Sequence, residues 1–527
     1  MANSNNPRQS TQAQAFIPAF GDDTLALGQL SDRTLSKFSL VDCVPTFIKN
    51  VGQDPVFSVL PRPPIIFRTS QAVGEMIVAV AKGEDVQPNY AMNSDGEIYE
   101  TNPSQGLYTL FATISTTGPY IYTSGIQFVI AGVRYMAFMA CNGTGDADLH
   151  VYNLTVGGAP TVVDLAAQGV LLPRDLRFLD GYLFIHDGNY IYNSNVGQPT
   201  TWLISTNFTA AEMVGDNITG LAVHRNHLVV FGTTSIEFFY NASIEIGSPM
   251  KRQAAYATTS IGKIEKPNIP DTGQIEDRLY FAALVDGVEV MAVIDNFKIK
   301  LINDNVVHKQ TTATIALGYE IPLPDSASSI NVVRLYGNAA VVWSGPGQHY
   351  VYFPDSNSWA LFNIKDATNG LRLIRWFYTV AGKTNALFLD AAPGQVNYGI
   401  MAHNVIVETA TTQINPAPEW YSQVLEFGNY NKKLLKWVDV IGTFGAWGIS
   451  MSLSLDEGRK NYWITTAETK NQNDAAFNNE IFPVRFRINQ PVRRFVIKVV
   501  FTPTGNIATD SPFNFEKLSL EFNQYTL

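Results

Sequence analysis

The stretch RNHLVVFGTTSIEFFYNAS, residues 225–243, decides the fold class. Its two runs, HLVVF and SIEFFY, consist mainly of β-branched and aromatic strand formers, and Gly232, Thr233 and Thr234 supply a short permissive joint between them. The local reading is a β-hairpin. A single hairpin cannot bury both of its own faces, so the same arrangement should recur elsewhere in the chain. It does, at DGYLFIHDGNYIYNS from Asp180, EDRLYFAALVDGVEVMAV from Glu276, GNAAVVWSGPGQHYVYF from Gly337 and TNALFLDAAPGQVNYGI from Thr384, with weaker copies from Gly74 and Gly132. Taking Gly74, Gly132, Gly181, Asn226, Asp277, Asn338 and Asn385 as the leading turn residues, the successive gaps are 58, 49, 45, 51, 61 and 47.

Gaps of about 40 to 50 residues, each holding two or more strands, are what propeller blades give, and closing blades into a ring removes strand edges that would invite aggregation. Helical periodicity is nearly absent. The expected fold is all-β: a β-propeller of six or seven blades plus a C-terminal antiparallel β-sandwich-like platform domain, with an unrelated sandwich or a solenoid as the alternative. The expected division is residues 1–60 as an N-terminal arm and platform-associated segment, 61–415 as the propeller and 416–527 as the platform. The first 15 or so residues are polar and read as an arm that orders against a partner, and LPRPPIIF from Leu60 reads as a stiff, extended entry. After INPAPEW, residues 414–420, alternation becomes clean. Ile449, Met451, Leu453 and Leu455 share one face opposite Ser450, Ser452 and Ser454. Phe495, Ile497, Val499 and Phe501 form another such row, as do Leu518, Leu520 and Phe522.

The 527 residues are 46% hydrophobic, 12% aromatic and only 16% charged, below the roughly 25% charge of ordinary soluble domains, which suits large faces shielded in an assembly. The net charge of −10 gives the whole molecule no electrostatic grip on DNA or an anionic membrane. From Ala417 onward twelve Lys/Arg face eleven Asp/Glu, a balance of +1 that leaves −11 on residues 1–416. Two cysteines, Cys43 and Cys141, argue against a disulfide framework and for folding in a reducing compartment. The opening MANSNNPRQSTQAQ lacks a signal-peptide pattern and no apolar run is long enough for a membrane helix, so the expectation is a protein made soluble in the cytosol. The sequons at Asn142, Asn153, Asn207, Asn217 and Asn241 are then chance products of an Asn- and Thr-rich sequence.

No G-x-S-x-G, H-E-x-x-H, C-x-x-C pair or P-loop is present, and no enzymatic activity is expected. His150, His186, His224, His227, His308, His349 and His403 are scattered. The one pair, HRNH, could meet a single metal only if the chain turns between His224 and His227, and no Cys or carboxylate nearby completes a set. These histidines read as turn and packing residues. SLDEGRKNYW from Ser454 approaches the Asp-box hairpin with Trp463 two positions late, and reads as a tight turn. The densest basic tract, RFRINQPVRRFVIK, carries Arg485, Arg487, Arg493, Arg494 and Lys498, supported by Lys432, Lys433 and Lys436. Arg494 and Lys498 share a strand face and Arg493 takes the other, a pattern that favours a solvated or subunit-contacting surface docking an acidic neighbour over DNA. No catalytic, cofactor-binding or metal-binding residue is assigned, and no cofactor is expected.

From FLDGYLFIHDGNYIYNS through TNFTAAEMVGDNITGLAVHRNHLVVFGTTSIEFFYNAS to IEDRLYFAAL, the chain resembles the packaged-DNA stabilisation proteins of short-tailed bacteriophages, also called tail hub or nozzle proteins. The resemblance rests on an I-x-G-L/I run, an apolar strand, F-G-S/T and T/S-I-E-Y/F-F. Here these are Ile218, Gly220, Leu221, Phe231, Gly232, Thr233, Ser235, Ile236, Glu237, Phe238 and Phe239, and the strong part spans roughly 174–285. EFGNYNKKLLKWVDVIG, SLSLDEGRKNYW and PVRRFVIKVVF are similar to the family's C-terminal part in order and spacing. The first 70 residues and residues 290–330 depart from it. The resemblance implies a structural virion protein of the tail, assembled in the host cytoplasm. It further implies a hexameric ring below the portal and head-to-tail adaptor that forms the DNA exit channel, retains the packaged genome and mounts a tail tip, fibres, spikes or needle. The alternative is a propeller-type glycan-binding or glycan-hydrolysing protein.

Overall fold

The computed structural model describes residues 12–18, 40–48, 56–72, 76–83, 88–102, 107–115, 118–211, 215–243, 247–285, 287–302, 329–345, 348–364, 373–380, 384–392, 395–401, 413–422, 425–426, 433–445, 447–455, 463–465, 470–471, 483–492, 494–503 and 512–523. Among them strand dominates, and the one helical element is a 3-10 turn at Ala254–Tyr256.

Among the described residues seven four-stranded antiparallel units follow one another, so the expected propeller is seen with seven blades. Blade 1 is Ile77–Ala81, Asn89–Asn93, Glu97–Asn102 and Leu107–Thr113. Blade 2 is Tyr122–Ile130, Val133–Cys141, Ala147–Asn153 and Thr161–Asp164. Blade 3 is Arg174–Leu179, Tyr182–His186, Tyr190–Asn195 and Gln198–Trp202, with Phe208–Ala210 added to its third strand. Blade 4 is Ile218–His224, His227–Gly232, Ile236–Asn241 and Met250–Arg252. In blade 5 two short strands, Gly262–Lys263 and Thr272–Ile275, share the inner position beside Arg278–Val285, followed by Val288–Asp295 and Lys298–Leu301. Blade 6 is Ser329–Leu335, Asn338–Gly345, Gln348–Phe353 and Ser358–Phe362. Blade 7 is Ile374–Val380, Thr384–Ala392 and Gln395–Met401, completed from the other end of the chain by Ile65–Ala72, with Ile66 opposite Ile400.

The repeat spacing has a backbone cause. The residues between first and second strands are Ala131-Gly132, Asp180-Gly181, Arg225-Asn226 and Tyr336-Gly337 in blades 2, 3, 4 and 6, and all eight have positive φ. A two-residue turn of that kind matches the right-handed twist of the strands it joins. Five of the seven leading residues, Gly132, Gly181, Asn226, Asp277 and Asn338, fall in or beside the connection between first and second strands, and Asn385 is the second residue of its blade's second strand. Gly74 lies outside the described residues, between the closing strand Ile65–Ala72 and blade 1, one strand too early, which is why the first gap is long.

Six of the seven junctions between neighbouring blades carry their own buried cluster, and the seventh, between blades 6 and 7, is part of the core shared with the sandwich. The continuous apolar runs of blade 4 follow from this: Leu228, Val230 and Phe239 pack toward blade 3, while Val229, Phe231, Ile236 and Phe238 pack toward blade 5. A strand sandwiched on both faces gains from apolar residues at every position, each fully buried one contributing roughly 1.5–3 kcal/mol. Ring closure between blades 7 and 1 is made by Phe388, Tyr398 and Ile400 against Ile77, Val80 and Ala91.

The remaining strands form two facing sheets. One contains Cys43–Ile48, Val56–Pro61, Asn514–Asn523, Lys433–Thr443 and Val484–Val492, with Gln12–Pro18 paired to Asn514–Asn523. The other contains Leu40–Val41, Glu419–Tyr421, Arg494–Pro503, Trp447–Ser454 and Trp463–Thr465. Their core includes Trp420 against Phe515 and Phe501 stacked on Phe513 at 4.1 Å. Ile449, Met451 and Leu453 are buried as the alternation predicts, but Leu455 is exposed because the strand ends at Ser454, and Ser452 and Ser454 are buried as well. Leu40–Val41 pairs in parallel with Ser358–Phe362 of blade 6 and antiparallel with Glu419–Tyr421, so the blade and the second sheet are one hydrogen-bonded surface.

Asp42 and Arg62 fasten that junction. Both side chains are fully buried and joined at 2.9 Å. Asp42 Oδ1 also accepts the Asn363 N–H at 2.9 Å and Oδ2 the Ala417 N–H at 3.0 Å, while the Asp42 N–H donates to the Leu361 carbonyl. One carboxylate thereby holds the N-terminal segment, the end of blade 6 and the lead into the sandwich. The Tyr336 hydroxyl adds a bond to the Pro61 carbonyl at 2.8 Å.

Candidate functional site

The opening hairpin can now be read atom by atom. Asp216 sits under its joint: Oδ2 accepts the Thr234 N–H at 2.7 Å and the Thr234 hydroxyl at 3.1 Å, and Oδ1 accepts the Ser235 hydroxyl at 2.9 Å. Burial opposes the Asp216 charge, but these bonds outweigh it and hold the carboxyl below its ordinary value. A Cβ on Gly232 would fall onto this carboxylate, and one on Gly262 onto the Thr233 carbonyl. The F-G-T-T-S spelling is therefore a capped turn pressed against blade 5. Glu237, buried in the third strand, pairs with Arg252 of the fourth at 2.6 Å.

The chain does turn between His224 and His227, which are directly opposite in register. Their rings instead grip Phe297 of blade 5 edge-on, at 5.4 and 4.8 Å, and Tyr256 stacks on the same ring at 4.4 Å. Burial, reinforced by the Arg225 cation, lowers the His224 pKa. His150 and His349 are buried in strands of blades 2 and 6, while His308 and His403 lie outside the described residues. Among the described residues no group of three or more His, Cys, Asp or Glu is placed to hold a metal ion. Cys43 and Cys141 are buried and unpaired.

In the basic tract, Arg485 is held by Asp439 through two bonds of 2.7 and 2.8 Å, and the guanidinium groups of Arg485 and Arg487 lie 5.6 and 5.8 Å from the Trp437 ring. Lys498, on the other sheet, is held by Glu419 at 2.7 Å. The sequence brings these cations together as a tract, but the structure divides them between two sheets and neutralises two of them. Arg493 and the Asp-box-like turn after Leu455 lie outside the described residues.

The largest concentration of buried charge lies at the propeller axis, where sequence reasoning assigned nothing. Between the two short inner strands of blade 5, residues 264–271 leave the sheet and reach across to blade 2, where the Thr123 hydroxyl donates to Asn268 Oδ1 at 2.7 Å and Asn268 Nδ2 donates to the Tyr120 carbonyl at 3.2 Å. Arg174 of blade 3 pairs with Glu265 at 3.0 Å and Arg177 with Asp175 at 3.0 Å, while Lys263 pairs with Asp271 and Lys266 with Glu289. Asp175 also accepts the Leu221 N–H at 2.8 Å, and Lys263 donates to the Thr219 carbonyl at 3.1 Å. Four cations meet four carboxylates; Lys263, Lys266, Asp271 and Glu289 are buried and the other four half-buried, and the pairing is how that charge is tolerated. For Asp175, burial is outweighed by Arg177, His186 and Lys263, and its pKa is lowered; burial prevails for Asp271 and Glu289, whose pKa values are raised. His186, opposite Arg174 in register, is pushed down to about 3 by burial, against Asp175 and with Arg174 and Lys263. The signal in the sequence was E-K-P-N-I-P-D, a charged, proline-bearing insertion in a chain poor in charge.

With this geometry in place, comparison with known proteins gives the following. A family model, Phage_stabilise, described as the β-propeller of bacteriophage P22 Gp10, matches residues 104–266, from the fourth strand of blade 1 to the start of the axial segment. The matched blades are similar to a bacteriophage structural protein. The match contains the capped hairpin of blade 4 and overlaps the stretch on which the sequence resemblance is strongest. No curated protein matches the sequence. Among solved structures, U3-55K is 12% identical with a TM-score of 0.41, over 64% of this chain and 98% of that one. The RRP9 WD40 repeats are 11% identical with a TM-score of 0.41, over 64% and 99%. The Neurospora crassa Pan2 WD40 domain is 10% identical with a TM-score of 0.39, over 63% and 91%. Overlaps this low add nothing about function.

Proposed function

We propose that this protein is the tail hub, or nozzle, of a short-tailed bacteriophage: a ring-forming structural protein below the portal and adaptor that surrounds the DNA exit path and mounts the tail tip, fibres or spikes. The observation that carries this reading is the match of residues 104–266 to the phage Gp10 propeller family. Two features of the fold support it. Of the 15 large hydrophobic side chains that are exposed among the described residues, 12 lie between Leu110 and Phe208, on blades 1 to 3 and their connections, as expected where other subunits cover these blades. The Asp42 clamp joins propeller and sandwich through a dry ion pair, which suits a part that must hold its shape in an assembly. The protein acts by assembly, with no catalytic step. The −11 on residues 1–416 would let DNA slide past the propeller without phosphate partners. Negative-stain imaging of the purified protein, alone and with the adaptor from the same virion, should give rings of six. A monomer that no adaptor recruits would overturn the reading, and one that cleaves surface polysaccharide would replace it with the glycan-hydrolase alternative. In a reconstruction of the virion, a channel wall lined mainly by Lys and Arg would overturn the sliding mechanism.

A further inference from the structure

The axial charge cluster lines a partly open cavity of about 280 Å³ between the inner strands of blades 1, 2, 3 and 7 and the crossing segment. That volume exceeds what one water fills. Its carboxylates are committed: Asp175 to Arg177, Glu265 to Arg174 and Asp271 to Lys263. Hydrogen-bond donors are left over. Arg174 Nε and Trp376 Nε1 line the wall as buried N–H groups without a partner, and buried His186 Nδ1, beside Arg174, also lacks one. Lys82, itself exposed, lines the same space with no carboxylate paired to it among the described residues; its ammonium lies 6.0 Å from the Tyr378 ring centre.

Unused donors and the Lys82 ammonium, beside wall carboxylates that are all paired among the described residues, call for a ligand that is anionic and accepts hydrogen bonds. We propose that the axial cavity of the propeller is a binding site for a small oxyanion of the phosphate, sulfate or carboxylate class, held by Lys82, Arg174 and Trp376. A metal cation is disfavoured because the described carboxylates of the wall are already paired with Arg174, Arg177 and Lys263. A neutral His186 can turn Nδ1–H toward the anion without adding to the positive charge of the site. Small shifts of the Arg174 and Trp376 side chains into the free volume bring their N–H groups to the ligand. The segment 264–271 forms one wall, so an occupant would brace it against blade 2. The inference is independent of the tail-hub reading.

The test is calorimetric titration of the intact protein with inorganic phosphate, sulfate and acetate at matched ionic strength, with thermal unfolding followed in parallel. Saturable one-to-one binding of at least one of them, with a rise in melting temperature, is expected, and comparison of the three separates tetrahedral anions from carboxylates. Lys82→Met should weaken that binding by roughly tenfold or more, the value of a charge-assisted hydrogen bond. Trp376→Phe, which keeps the ring and removes only the N–H, should weaken it by a few-fold. Absence of saturable binding by all three anions, or binding equally strong in both variants, would overturn the proposal. Should Lys82→Met unfold, Trp376→Phe alone decides.

Discussion

At the scale of single residues, the axial histidine makes a prediction with a definite sign. His186 titrates near 6.5 when unfolded and is pushed down to about 3 in the fold, chiefly by burial. Between those values the unfolded chain binds a proton that the folded chain refuses, so this residue's contribution is intact above pH 6.5 and is lost as pH falls toward 3. Replacing it by glutamine removes that proton. The slope of unfolding free energy against pH, measured by urea denaturation between pH 6 and 4, should become shallower by about 1.4 kcal/mol per pH unit in His186→Gln. An unchanged slope would mean that His186 is protonated in the native state, with Asp175 as its counter-ion.

At the scale of strands, the ring depends on a contact between chain ends. Ile65–Ala72 is the fourth strand of blade 7, and Ile66 lies opposite Ile400 on one side and Gln413 on the other, nearly inaccessible to water. An aspartate there would place an unpaired carboxylate in the seam that closes the propeller. Ile66→Asp should destabilise by about 4 kcal/mol or more and speed amide exchange in Gln395–Met401, whereas Ile66→Val should cost about 1 kcal/mol and leave exchange in place. The blades themselves were legible because each repeats a local device, a positive-φ turn ahead of strands buried on both faces, and local devices are written in neighbouring residues. This closing strand was read only as a stiff entry, because nothing in LPRPPIIF names a partner more than 300 positions away. The axial cluster was hidden for the same reason: Lys263, Lys266, Glu265 and Asp271 look like an ordinary polar loop until the ring brings Arg174, Asp175 and Glu289 around them. The His pair was legible as a packing element, but its object, Phe297, belongs to the next blade.

At the scale of the molecule, the question is what makes propeller and sandwich one body. Among the described residues their sheets pair only through Leu40–Val41, so the junction depends on the shared apolar core and on whatever locks this short edge. Asp42 is that lock. It takes a left-handed backbone at φ 48°, which asparagine tolerates well, so Asp42→Asn removes the charge while keeping the shape and the oxygen that accepts the Asn363 N–H. Its cost, roughly 3–5 kcal/mol, should then come from the Arg62 charge left uncompensated inside the junction and from the side-chain NH2 that replaces the oxygen accepting the Ala417 N–H. The more telling readout is cooperativity. With the lock intact, the sandwich core that reaches blades 6 and 7 through Phe362, Ile364 and Phe377 should melt together with the ring in one calorimetric transition. In Asp42→Asn the two halves should separate into two transitions, the lower belonging to the half that loses more of the shared core. A single transition, merely shifted down, would show that the apolar core alone couples them, and that Asp42 adds stability without adding stiffness.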